Sequence, residues 1–199
     1  MELMRVWCGP MCAAKTTGAL HAARRYARHG KKVILLRPRS SRRSHEKSPV
    51  HLSTKNGESF PSFDHESVLD LLCYAGRADV FWLDEPNLFP DEEKLPELVA
   101  TLRKDSIILV SGLGATSELE PFGCMPFLLS TADHVEWLSA DCDACKTHGN
   151  ATRSLYIGET LKKGQAMVGG AESYRPVCPA CWNLLSLWAP EQRRKSFGL

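Results

Sequence analysis

The sequence predicts an α/β protein, a mostly parallel sheet with helices on both faces, joined to a small four-cysteine module. Three observations predict it. Short apolar runs alternate with amphipathic helical stretches through residue 140. The first run ends in a glycine turn that opens a helix, and a second apolar run follows, which is the order of a parallel βαβ unit. From Asp141 onward the chain turns to cysteines and glycines, with few long apolar runs.

The elements follow in order. Leu3–Cys8 is a short apolar run stopped by Gly9-Pro10, the pattern of a buried strand. Lys15–His29 carries an apolar face through Ala19, Ala22, Ala23 and Tyr26, with Gly30 as its stop. Lys32–Leu36 is the second strand. Residues 38–49 are basic and serine-rich and read as a mobile loop. Residues 50–63 hold Lys55-Asn56-Gly57 between alternating residues, a hairpin signal. Glu66–Ala75 reads as a helix and Ala78–Asp84 as a strand ending in an acid. Glu92–Lys104 is an amphipathic helix, Ser106–Ser111 a fourth strand, and Asp133–Leu138 a fifth. The pattern divides into a nucleotide-binding domain over 1–140, a cysteine module over 141–182 and a loose tail over 183–199.

The totals narrow the class. With 199 residues, the chain supports one good core plus a small appended module. Its 43% hydrophobic and 24% charged residues are ordinary for a soluble globular protein. A formal charge of +2 gives no argument for nucleic acid or a membrane. No apolar run approaches the roughly 20 residues that span a bilayer, and Met1–Trp7 lacks the shape of a signal peptide. A cytoplasmic location is expected.

Gly9-Pro10-Met11-Cys12-Ala13-Ala14-Lys15-Thr16 lies between a strand and a helix, the context a phosphate-binding loop requires. Backbone N–H groups and the helix start cradle phosphates there, Lys15 reaches the terminal phosphates, and Thr16 holds Mg²⁺. The usual glycine before the lysine is Ala14. Asp84-Glu85 ends another apolar strand, where an acid positions Mg²⁺ and a neighbour serves as general base on a hydroxyl. Each pattern also has a plainer reading: an ordinary strand–turn–helix for the first, a solvated helix cap for the second. Their placement at the carboxyl ends of two strands is what joins them, because ligands of open α/β sheets bind there. Cys142-x-x-Cys145 and Cys178-x-x-Cys181 supply four thiolates for a structural zinc site. Two disulfides are the alternative.

Together these pieces resemble the zinc-containing (type II) thymidine kinase family over about residues 4–182, as a divergent member. The resemblance rests on Gly9-Pro10-Met11, Lys31-Lys32-Val33, Asp84-Glu85-x-x-x-Phe89, Gly112-Leu113, and Glu120-Pro121-Phe122-Gly123. Its longest stretch runs from Val168-Gly169-Gly170 through Ala171-Glu172-Ser173-Tyr174 to Val177-Cys178. It implies a P-loop, RecA-like sheet and a zinc-tied lasso loop. It also implies a homotetramer that transfers the γ-phosphoryl of ATP to the 5′-hydroxyl of thymidine with Mg²⁺. By position it makes Glu85 the catalytic base and the 9–16 loop, Asp84 and Arg43 the ATP and Mg²⁺ contacts. It places Met11, Leu88, Leu113, Ser117, Phe122, Val168, Gly169, Gly170 and Tyr174 at the nucleoside.

The departures cluster at that site. Besides Ala14, Ser41 replaces an Asp that assists Mg²⁺, Asn87 replaces a Gln, Leu88 an aromatic, Gly114 an Asp, and Ser117 a Phe. Loss of two aromatic rings enlarges the base pocket, which fits an altered base preference. The same substitutions fit a catalytically inactive relative that binds a nucleotide or a protein. The basic Arg37–Arg43 stretch is accounted for by a nucleotide's phosphates, so nucleic acid is not expected as a partner.

Overall fold

A computed structural model describes residues 3–41, 51–54, 57–158 and 172–198. In chain order the strands and helices are β1 (Met4–Cys8), α1 (Lys15–Arg28), β2 (Val33–Pro38), β3 (His51–Ser53), β4 (Ser59–Pro61), β5 (Phe63–His65) and β6 (Val80–Asp84). They continue with α2 (Leu95–Leu102), β7 (Ile107–Gly112), α3 (Met125–Thr131), β8 (His134–Trp137), β9 (Arg153–Tyr156), β10 (Tyr174–Val177), α4 (Pro179–Leu185) and α5 (Pro190–Ser196).

Six strands form one sheet in the order β5-β2-β6-β7-β1-β8, and every pairing in it is parallel. Alternation along each strand sorts its side chains between two cores. Met4, Val6, Leu36, Phe81, Leu83, Ile108 and Val110 face α2 and α3. Trp7, Leu35, Val80, Trp82 and Leu109 face α1 and the β3–β4 hairpin. Both faces are covered, so the strands read as unbroken apolar runs. Trp82 is fully buried, with Phe60 of the hairpin edge-on at 5.9 Å between centroids. Because the sheet is parallel, the segments after β1, β2, β6 and β7 emerge at one edge. Gly9 shows how tightly they pass, since a Cβ there would strike the Leu138 carbonyl that follows β8.

The edge strand β5 was not expected. It forms because Arg37, 1% exposed on its side chain, pairs with its cross-strand neighbour Asp64 at 2.7 Å. Breaking one side of such a buried pair costs about 3–5 kcal/mol.

Three expected elements differ. Residues Val68–Tyr74 form a 3-10 helix where Glu66–Ala75 reads as a regular helix. Its two buried side chains, Val68 and Leu71, are three apart, which suits three residues per turn, and Gly76 ends it at φ 68°. The Glu92–Lys104 helix splits into a 3-10 turn over Glu92–Lys94 and α2. The expected tail contains α5, started by Pro190 and by the Gln192 side chain accepting from the Ala189 N–H at 3.3 Å. The hairpin lies where it was expected, though its Lys55-Asn56 turn is outside the described residues.

The cysteine segment has its own small core. β9 and β10 pair antiparallel, and Ala140 bridges Ala151. Leu155, Ile157, Val177 and Leu185 pack there with Cys142 and Cys178. Among the described residues, no helix is long and apolar enough to cross a membrane.

Candidate functional site

The loop after β1 turns back on itself through two left-handed residues, Cys12 at φ 63° and Ala14 at φ 58°. An alanine in that region costs roughly 1–2 kcal/mol, so the position before Lys15 suits glycine by conformation. Lys15 opens α1, is 8% exposed, and donates from Nζ to the Pro10 carbonyl at 2.6 Å. Beside it the Cys8 thiol is pushed up by burial, with the Lys15 charge opposing.

Thr16 points from the first turn of α1 to the end of β6, its Oγ1 3.2 Å from Asp84 Oδ1. Asp84 is 4% exposed. From β7, the Ser111 hydroxyl donates to the same Asp84 oxygen at 2.5 Å and accepts from Trp82 Nε1 at 2.8 Å. One helix and two strands thus fix one buried carboxylate. Glu85 follows in the left-handed region at φ 51°, immediately before Pro86, and its N–H donates to the Ser111 carbonyl at 2.7 Å. A non-glycine residue held this way stores roughly 1–3 kcal/mol of strain, and such strain clusters at functional sites. Glu85 is partly exposed, in contrast to Asp84.

Ser41 is also at this edge, but its buried hydroxyl donates to the Pro38 carbonyl of its own turn at 2.9 Å. Leu88 ends the turn after Glu85, and its carbonyl accepts from Ser40 Oγ at 3.2 Å. Leu113, Ser117 and Phe122 lie partly buried in the loop after β7, which closes on an Ala115–Pro121 bridge. A side chain at Gly114 would bring its Cβ to 2.8 Å from Cys8 Sγ, so a bulkier residue does not fit here without a shift. Met11 is buried, and its N–H donates to Ser154 Oγ of β9 at 2.9 Å. Tyr174 opens β10 with its ring edge-on to Tyr156 at 5.2 Å. Burial, followed by Tyr156 and Glu118, pushes its phenol up to about 12, so it stays a neutral donor. Arg43, Val168, Gly169 and Gly170 lie outside the described residues.

Ser111, Trp82 and Ser154 are contacts that sequence reasoning missed. A lone serine carries no pattern. The only available signal was that Ser111 closes an apolar strand beside the one ending in Asp84.

The four sulfurs of Cys142, Cys145, Cys178 and Cys181 lie within 4.8 Å of one another, with Cys145 and Cys178 3.9 Å apart. Zinc with bonds of about 2.3 Å to a sulfur tetrahedron needs sulfurs roughly 3.8 Å apart. No pair is joined by a disulfide. The Cys178 N–H donates to Cys142 Sγ at 3.2 Å and the Cys181 N–H to Cys178 Sγ at 3.5 Å, which favours thiolates. Thr147 draws the Cys145 thiol down to about 6, while burial and the other cysteines push Cys181 up to about 12. The cluster fits a structural zinc ion with no open position.

The family profile described as Thymidine kinase matches residues 2–182. A thymidine kinase of Mycoplasma genitalium is 28% identical over 87% of this chain and 79% of its own length. Thymidine kinase 1 of Dictyostelium discoideum is 25% identical over 90% of this chain and 77% of its own length. A thymidine kinase of Coprothermobacter proteolyticus is 30% identical over 88% of this chain and 87% of its own length.

Proposed function

The chain belongs to the thymidine kinase family, and from that premise we propose that it transfers the γ-phosphoryl group of ATP to the 5′-hydroxyl of a pyrimidine deoxynucleoside. Family membership supports a nucleoside-kinase role in general. The finer reading is carried by one observation: Thr16, opening α1, lies 3.2 Å from Asp84 at the end of β6, between Lys15 and Glu85 in their own segments.

Phosphoryl transfer asks a protein mainly for positioning and charge stabilisation. In this reading the 9–16 segment is a P-loop of RecA-like type. Its N–H groups hold the phosphates, and Lys15 exchanges the Pro10 carbonyl for phosphate oxygens. Thr16 and Asp84 offer the hard oxygen ligands that would hold Mg²⁺, which would supply charge neutralisation at the phosphates. Glu85, less buried than Asp84, takes the proton of the nucleoside hydroxyl. Met11, Leu88, Leu113, Ser117, Phe122 and Tyr174 line the nucleoside side. Zinc at the four cysteines makes this a zinc-containing kinase, with domains dividing near residue 140, a homotetrameric assembly and a cytoplasmic location.

A second reading, a relative that has lost catalysis, is favoured by Ser41. Its hydroxyl is spent within its own turn and supplies no carboxylate for the metal. Radiolabelled phosphate transfer from ATP and Mg²⁺ to natural and 5-substituted pyrimidine deoxynucleosides separates the two readings, with Lys15→Ala as the blank. Transfer that vanishes in the blank supports the kinase and reports its base. No transfer from folded, zinc-loaded protein favours the inactive relative.

A further inference from the structure

Helix α5 lies beyond the matched family segment, which ends at residue 182. Its Arg193 nevertheless reaches back to three carbonyls. Nε donates to Leu185 O at 2.9 Å, Nη2 to Ser186 O at 2.6 Å, and Nη1 to Tyr156 O at 3.3 Å. The first two lie at the C-terminal end of α4, where Leu185 O also accepts from the Trp188 N–H at 3.1 Å and a cation is favoured by the helix dipole. The third ends β9. A planar fork that spans three acceptors is a task lysine cannot repeat.

What Arg193 holds leads to the candidate site by two routes. α4 carries Trp182, whose Nε1 donates to the Ser117 carbonyl at 3.1 Å, and Arg153 of β9 lies over the same ring at 5.5 Å. β9 carries Ser154, which accepts from the Met11 N–H, and Tyr156, which packs against Tyr174. Met11, Ser117 and Tyr174 are all candidate nucleoside contacts, and each is one step from an element Arg193 ties. Phe197, four residues further along, packs into the cysteine module's core.

We infer that Arg193 is a positioning residue for the nucleoside side of the site, acting through α4 and β9 and touching no reacting atom. The inference rests on the kinase reading for its kinetic arm alone. Burial pulls the Arg193 guanidinium below its ordinary value, and the Glu118 carboxylate, in the same loop as Ser117, opposes that shift.

The test compares full-length, zinc-loaded wild type with Arg193→Met and Arg193→Lys. It measures KM for the nucleoside, KM for ATP, kcat, and hydrogen exchange of residues 114–121 and 153–157. Arg193→Met is expected to raise the nucleoside KM about tenfold, the scale of a small misplacement. Its ATP KM and kcat should stay within about twofold, and both segments should exchange faster. Arg193→Lys should fall between it and wild type, and it decides the matter if the methionine variant does not fold. Unchanged nucleoside KM and unchanged exchange overturn the inference. So does a kcat loss with unaltered nucleoside KM. If wild type shows no turnover, the kinase reading fails and exchange alone decides: faster exchange supports the tie, and unchanged exchange overturns it.

Discussion

At the end of β6, Asp84 takes hydroxyls from Thr16 on one side and Ser111 on the other, above a strand whose side chains are buried from end to end. Across the site, Ser117 leans on a module that contains Tyr174 and whose core holds, among the described residues, seven buried ones, two of them cysteines. The first region is fixed by apolar burial on two faces and by hydrogen bonds among strands. The second has a smaller apolar core, beside four clustered sulfurs that fit a metal ion. In the proposed kinase, the sheet would order the phosphate end of the site and the cysteine module, with zinc bound, the nucleoside end.

Removing the metal is the strongest way to split them. Zinc sites of this kind supply about 10 kcal/mol or more of folding free energy. Chelation, or Cys178→Ser, is expected to remove hydrogen-exchange protection from β9, β10 and α4 while β1, β6 and β7 keep theirs. Equal loss across all six elements would show that sheet and module fold as one unit. A gentler cut lies on the sheet side. Ser111→Ala deprives Asp84 of one donor and Trp82 of its acceptor. A loss of about 2 kcal/mol in urea unfolding is expected, with the zinc content unaltered. The smallest effect has the opposite sign. Ala14→Gly relieves a left-handed alanine and should gain about 1 kcal/mol of stability. A loss there would mean that the loop reaches this conformation without strain.

The contrast also explains what the sequence disclosed. β1, β6 and β7 were legible because both their faces are buried, leaving apolar runs that end in a turn or an acid. Asp84 and Glu85 stood out at a strand end, and the cysteine pairs announced themselves by spacing. The hidden parts depend on contacts distant in sequence. β5 is three residues long and exists through the Arg37–Asp64 pair across the sheet. α5 looked like a loose tail because its anchor, Arg193, binds a carbonyl 37 residues away. The missing glycine at Ala14 was readable, but its left-handed backbone was not.

The central claim is that the edge beyond β1 and β6 is a phosphoryl-transfer site with Glu85 as its base. Glu85→Gln tests it most directly, with turnover measured beside ATP binding by calorimetry. A fall in turnover of about 10²–10⁴-fold, with ATP affinity within about twofold of wild type, is the predicted result. Turnover equal to wild type would contradict the claim and remove Glu85 from the reaction.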